Sequence, residues 1–290
     1  MSDKPTATNG EYSAIPGWSV IALRGADASA FAQAQFMGDV AALAPGHWQW
    51  NGWLTPKGRL VALFALLRID DTDLRLLLAD AEPEGFVASL SRFVFRSKVR
   101  ITREAGLHVA GAFRAADGAL ANAFVGSEDG AGLILDFGAA GGPRTLRIAA
   151  ASAPPDTDAA ARWNAFDLAH GLPRLDPAQS GQWTPQQLSL DRLGAYSVKK
   201  GCYPGQEIVA RTHFLGQAKR GLFRLSAAAD LATGDVFPAS GEAQARAIGQ
   251  VVCTAGHEAL AVMPLEAGDG PFLAGGRRCD RLPLLDGLAR

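Results

Sequence analysis

Cysteine and histidine are scarce in this chain, with three and five among 290 residues. Cys202, Cys253 and Cys279 form no C-x-x-C pair, so a zinc knuckle, a thioredoxin-like pair and a disulfide framework are not expected. The thiols are read as free, in a reducing compartment. His47, His108, His170, His213 and His257 are scattered without metal-ligand spacing, and no metal site is expected. Long apolar runs are missing too. The longest, residues 60–67, is closed by Arg68 and falls far short of the roughly 18 residues a membrane helix needs. The polar stretch 1–11 lacks the basic start and apolar stretch of a secretory signal, so a cytoplasmic location is expected. There is no charge excess, since 28 basic and 29 acidic residues leave a net −1, which excludes a global attraction to nucleic acid or anionic lipid. The P-loop, the strand-anchored G-x-G-x-x-G and the G-x-S-x-G elbow are all absent, leaving nucleotide hydrolysis, Rossmann dehydrogenase and serine hydrolase chemistry unsupported.

What is present is an ordinary globular composition, 48% hydrophobic and 20% charged, with length for about two cores or more. Residues 27–36 begin with an N-cap type, Asp27, and place Ala28, Phe31, Ala32 and Phe36 on one helical face. Residues 47–78 read as an antiparallel meander, with turns at 55–59 and 70–73. A second helix is expected over 82–95, from Phe86, Val87, Leu90, Phe93 and Val94, and a third over 156–170, ended by Gly171 and Pro173. Short strands at 99–102 and 107–113 complete an α+β pattern, and β-rich pieces from residue 219 onward suggest a small C-terminal barrel. Trp48, Trp50 and Trp53 are either core or a stacking surface for a flat heterocycle. Lys57, Arg59, Arg96, Lys98 and Arg100 form a basic set in the N-terminal half, which reads as a solvated face.

The most unusual segment carries the chemistry. Residues 192–224 hold seven basic side chains against one acid, Glu207, a local charge of +6. Gly201 and Gly205 bracket Cys202, Tyr203 and Pro204, implying a tight loop. A helix starting after Pro204 would put Cys202 near a helix N-terminus and beside Lys199 and Lys200, both of which favour a thiolate. Two readings stand at this point: a reactive thiol in a basic loop, or a small side chain packing the turn. Glu207 is either a helix-capping acid or an acceptor for a ligand N–H group.

Residues 200–207, Lys-Gly-Cys-Tyr-Pro-Gly-Gln-Glu, resemble the signature K-G-C-Y-x-G-Q-E of the YgfZ family, which is related to the T-protein (aminomethyltransferase) of the glycine cleavage system. Gly171-Leu-Pro173, the stretch 185–191, Gly216 and Lys219-Arg220 fit the same order. So do Gly25-Ala-Asp27, Phe31, Gln35, Asp39-Val40 and Pro56-Lys-Gly-Arg59 upstream. Ser189 replaces the family's usual asparagine, and Phe36-Met37-Gly38 replaces an expected leucine-threonine pair. No position matches the T-protein's catalytic aspartate, which counts against aminomethyl transfer.

The resemblance implies an α+β fold, a three-part ring or cloverleaf of two α+β modules plus a C-terminal β-barrel. The expected division is a flexible tail at 1–11, a folate-binding module of 12–46 with 144–215, a second module at 47–143, and the barrel at 216–290. It implies a tetrahydrofolate-binding accessory protein in assembly or repair of iron–sulfur clusters, with an effect on tRNA-modifying cluster enzymes. Its partners would be iron–sulfur client enzymes or cluster-assembly proteins, without a membrane, without direct nucleic-acid contact, and as a monomer. By resemblance Cys202 is the chemical participant with Lys200 beside it, and Gly201, Tyr203, Gly205, Gln206, Glu207 and Arg211 contact the cofactor, tetrahydrofolate or a derivative. The alternatives are a folate-dependent one-carbon transferase and, more weakly, a tRNA-binding protein using the basic segment.

Overall fold

The computed structural model describes residues 10–79, 81–126, 132–216, 218–239 and 246–290; residues 1–9 of the expected tail lie outside the described residues. The chain opens with β1 (Ser13–Ala14), β2 (Trp18–Arg24) and α1 (Ala28–Gln35), followed by β3 (His47–Leu54), β4 (Leu60–Arg68) and β5 (Asp73–Ala79). Next come α2 (Pro83–Ser91), β6 (Arg100–Arg103), β7 (His108–Ala112), β8 (Phe124–Gly126), β9 (Leu133–Asp136), β10 (Thr145–Ala149) and α3 (Thr157–Ala169). An irregular stretch with two short 3₁₀ turns leads to α4 (Gln206–Phe214). The last part holds β11 (Arg220–Ala227), β12 (Asp235–Pro238), β13 (Gly249–Ala255), β14 (Glu258–Pro264), β15 (Phe272–Ala274) and β16 (Arg277–Leu282). Among the described residues no helix is long and apolar enough to cross a membrane.

The first sheet has the order β3-β4-β5-β2-β6 and is antiparallel throughout. Both of its faces are buried, which explains the unbroken apolar run along β4. On one face Ile21, Leu23, Phe64, Leu66, Leu76 and Leu78 pack under α1 and α2 with Phe31, Phe86 and Leu90. Each such side chain contributes roughly 1.5–3 kcal/mol by leaving water. Proline at the start of α2 and the Glu82 carboxylate, which accepts from Glu84 N and Gly85 N, set where that helix begins. Asp27 does not cap α1 as its residue type suggests; its carboxylate accepts from Lys98 N at 2.6 Å instead, tying the helix start to the loop between α2 and β6.

The second sheet has the order β1-β7-β10-β9-β8, and the third unit is a closed barrel, β11-β14-β13-β12-β15-β16. This is the α+β architecture with a C-terminal barrel. The division into modules differs from the expected one. β2 lies between β5 and β6, in register from Trp18↔Ala79 to Arg24↔Asp73, so residues 18–24 belong with 47–103 rather than with 144–215. The reason is burial: Val20 to Leu23 are apolar toward both faces, and only a central position covers both.

The other face of the first sheet meets the second sheet and α3 around Phe137. Its ring stacks on Trp48 at 4.8 Å between centroids and meets Trp50 at 5.6 Å, Trp18 at 6.1 Å and Trp163 at 6.2 Å. Trp48 and Trp50 are therefore core. The residues after β16 return across this node: Leu288 O accepts the Trp50 indole N–H at 2.7 Å, and the Arg290 guanidinium lies 5.3 Å from the Trp48 ring.

Beneath the node lies a buried ion pair. Arg144 and Asp167 are both 0% exposed, with Arg144 Nη1 donating to Asp167 Oδ1 at 2.8 Å. The guanidinium is covered by the Phe166 and Trp163 rings at 3.8 and 4.2 Å. Burial pushes the Arg144 pKa down and Asp167 opposes that. Removing Asp167 strands a buried cation, so Asp167→Ala is expected to cost about 3–5 kcal/mol in urea unfolding. Removing an exposed ion pair in Arg24→Ala should cost under about 1 kcal/mol. Equal losses in the two variants would contradict this reading.

Candidate functional site

The signature loop is built against the turn that joins β3 to β4. Gly205, at φ +80°, opens α4, and a Cβ there would lie 2.6 Å from both Gly58 Cα and Thr55 O. Gly58, at φ +67°, is matched: a Cβ there would lie 2.8 Å from Ile208 Cβ. Two glycines far apart in sequence are thus required at one point of backbone contact. Gly201 differs, since its φ is not positive and a Cβ there would meet nothing within 4 Å.

Lys200 is only 6% exposed, and its ammonium is spent inside the protein. Nζ donates to Gln33 O and Phe36 O at 2.5 Å each and to Gly38 O at 3.2 Å, so it caps the C-terminal end of α1. It also lies 4.8 Å from the centroid of the Tyr203 ring. Burial pushes its pKa down to about 8, with the Asp39 charge opposing. The carbonyl acceptors and the helix dipole keep the charged form at neutral pH. The expected pairing of Lys200 with the Cys202 thiolate is therefore replaced by a pairing with α1, because three orphan carbonyls outbid an exposed thiol for a buried cation.

The rest of the loop is braced around this anchor. Tyr203 is buried, its hydroxyl donates to Ser197 O at 3.1 Å, and burial raises its pKa to about 12. Gln206 Nε2 donates to Lys200 O at 3.1 Å. Cys202, Glu207 and Arg211 are exposed, Glu207 in the first turn of α4 and Arg211 in its last. Cys253 and Cys279 are buried.

A cavity of about 270 Å³ lies elsewhere, between α2, the first sheet and the stretch after α3. Trp18, Trp53, Phe64 and Phe86 supply aromatic wall, and Glu82, Arg174 and Asp176 supply charge. The indole N–H groups of Trp18 and Trp53 have no protein partner among the described residues. Arg174 is positioned by Asp167, whose second oxygen accepts from Nη1 at 3.3 Å, and by Asn164 Oδ1 at 3.1 Å. A second cavity of about 350 Å³ shares Arg174, Leu175, Asp176 and Pro177 with the first and reaches the barrel at Val252 to Thr254. None of residues 200–211 lines either cavity, so the residues expected to contact a cofactor and the pocket able to hold one are separate. Sequence reading passed over Glu82, Arg174 and Asp176. The signal was slight: Arg174 directly follows the Gly171-Leu-Pro173 motif.

No family model matches the chain. Among solved structures the fold is similar to that of the glycine cleavage system aminomethyltransferase T from Bartonella henselae, with a TM-score of 0.69 and 15% identity, over 96% of this chain and 85% of that one. The likeness is one of fold.

The Lys200 anchor has a pH signature. Between about pH 8 and 10.5 the folded protein has released this proton while the unfolded chain still holds it, so the unfolded state binds more protons. The stability of the wild type relative to Lys200→Met should then rise with pH across that window, by at most about 3.4 kcal/mol, and stay flat below it. Urea midpoints at pH 7 and pH 10 check this, and a pH-independent difference would refute it.

Proposed function

We propose that this chain binds a reduced folate in the cavity between α2, the first sheet and the stretch after α3, and presents Cys202 to iron–sulfur client proteins from the signature loop. The observation that carries the reading is the cavity itself, with flat aromatic walls, two carboxylates and one guanidinium in a fold similar to an aminomethyltransferase. A pterin is planar and offers a row of N–H donors, which suit aromatic walls and a carboxylate such as Glu82 or Asp176. A folate also ends in carboxylates, for which the Arg174 fork is the complementary group. When bound, a folate supplies a one-carbon carrier; the protein's residues bind and orient it.

The client-serving part rests on the signature resemblance and on exposure. Cys202 lies beside open space at Gly201, accessible to a macromolecule, in a loop anchored by the buried Lys200 and Tyr203. On this reading Gly201, Tyr203, Gly205, Gln206, Glu207 and Arg211 shape and present the thiol, with the folate contacts made by cavity residues. The fold likeness also supports a one-carbon transferase, a reading with no better footing in the cavity, where β4 contributes only apolar residues, Val61 to Phe64.

Titration of tryptophan fluorescence with 5-formyltetrahydrofolate should show quenching with micromolar affinity. Arg174→Ala and Trp53→Leu should each weaken binding about tenfold, a loss near 1.4 kcal/mol. Cys202→Ala should bind as the wild type does, yet fail to restore cluster-enzyme activity in cells lacking the protein. Absence of binding would sink the folate reading, full restoration by Cys202→Ala would sink the thiol's role, and turnover of an aminomethyl donor would establish the transferase instead.

A further inference from the structure

The loop between α2 and β6 puts two phenylalanines in a run of cations. Residues 92–100 read Arg-Phe-Val-Phe-Arg-Ser-Lys-Val-Arg, with four basic side chains and no acid. Arg92, Arg96, Lys98 and Arg100 are all exposed, and none forms an ion pair among the described residues. This contrasts with Arg24, Arg68, Arg75 and Arg103 of the same module, each of which holds a carboxylate. The one carboxylate drawn into the loop, that of Asp27, is taken by the backbone N–H of Lys98.

Phe95 is the outlier. Its ring is 91% exposed and its backbone sits at φ +48°, a left-handed conformation that a bulky side chain adopts only at a cost. The strain persists because the turn is fixed on both sides: Phe93 N and Val94 N bond back to Leu90 O and Ser91 O, Ser97 N bonds Val94 O at 2.8 Å, and Asp27 clamps Lys98. Phe93 behaves differently, half exposed at 46% with its ring edge against Trp53 at 5.8 Å. The loop therefore displays one ring, rigidly, between cations on either side.

We propose that this loop is a binding platform for single-stranded nucleic acid, with Phe95 stacking on a base and Arg92, Arg96, Lys98 and Arg100 contacting phosphates. A single outward ring between unpaired cations matches a base between two phosphates, since every base has a face to stack and stacking tolerates any sequence. Three of the four cations are arginines, whose planar fork takes phosphate oxygens in pairs. An anionic membrane would also attract the charges, but one protruding ring offers little apolar area for insertion, because Phe93 is held against Trp53. The chain's net −1 adds no general attraction, so the contact is short and local to these residues. The platform is distinct from the basic stretch 192–224, and none of residues 92–100 lines the cavity, although Phe93 packs against Trp53 of its wall.

Fluorescence anisotropy of a labelled twelve-nucleotide oligouridylate with the full-length protein tests this. Four phosphate contacts predict a log–log salt slope near −3 at about 0.7 per contact. Phe95→Ala should weaken binding about tenfold with the slope unchanged, whereas Arg96→Ala with Lys98→Ala should flatten the slope by about 1.4. Phe95→Gly separates stacking from folding, because it relieves the left-handed strain: its melting temperature should rise while its affinity falls as in Phe95→Ala. No oligonucleotide binding at 50 mM salt, equal binding by wild type and Phe95→Ala, or capture by phosphatidylserine vesicles in place of the oligonucleotide would each overturn the proposal.

Discussion

Phe137 is the residue on which the arrangement of this molecule depends. It leaves β9 of the second sheet and enters a cage of four tryptophans, two from β3, one from β2 and one from α3. One stacked, one tilted and two edge-on contacts use the ring's negative face and positive edge together, an orientation-dependent gain that plain burial lacks. The first sheet cannot tilt against the second without breaking that set. The returning C-terminal residues close it, since Leu288 O satisfies the indole N–H of Trp50 that burial would otherwise strand. The cavity sits at the edge of the same cage: Trp50 and Trp18 line it with their outer faces.

The buried charges are arranged to serve the same region. Asp167 divides its two oxygens between Arg144, wholly buried under aromatic rings, and Arg174, which reaches the shared wall of two cavities. One buried carboxylate thus orients two guanidinium groups at once. A structural pair is thereby extended into a group that faces ligand space, and its side chain is ordered before any ligand arrives, which lowers the entropic cost of binding.

Periodicity and turn chemistry were enough to place the four α-helices of the described residues and the meander, because those signals are local. Positions 83–91 follow from Pro83, the Glu82 cap and the apolar spacing of Phe86 and Leu90. The same pattern overran at 92–95, where helical spacing of Phe93 and Val94 continues but the chain turns left-handed at Phe95. Tertiary ties, not propensity, set that end. The signature loop was legible as a loop and as a glycine-dependent one, yet its roles were not. That Gly205 meets Gly58, and that Lys200 meets the end of α1, are contacts across about 150 residues or more, which no local pattern carries. The cavity was least legible: Glu82 and Asp176 cap α2 and a 3₁₀ turn, local roles that carry no sign of the cavity they line.

Separation of the thiol from the cavity does not make them strangers, because β4 belongs to both. Its residues Val61 to Phe64 form cavity wall, and the turn that feeds it, residues 55–59, is the surface on which Gly205 and Ile208 rest. Between the two, Leu60 is fixed on both backbone sides, accepting from Gly181 N and donating to Trp183 O at 2.7 Å each. Arg59 adds a bond to Gln182 O. A ligand pressing on the wall therefore meets a strand whose first residue is pinned to the chain that leads into the signature loop. Close packing makes such a path stiff, so occupancy of the cavity is felt at the loop as position and order more than as displacement. Only a second stable arrangement of that loop would turn this stiffness into a switch. The opposed glycines and the buried Lys200 argue for a single one, with the Cys202 thiol exposed whether or not the cavity is filled.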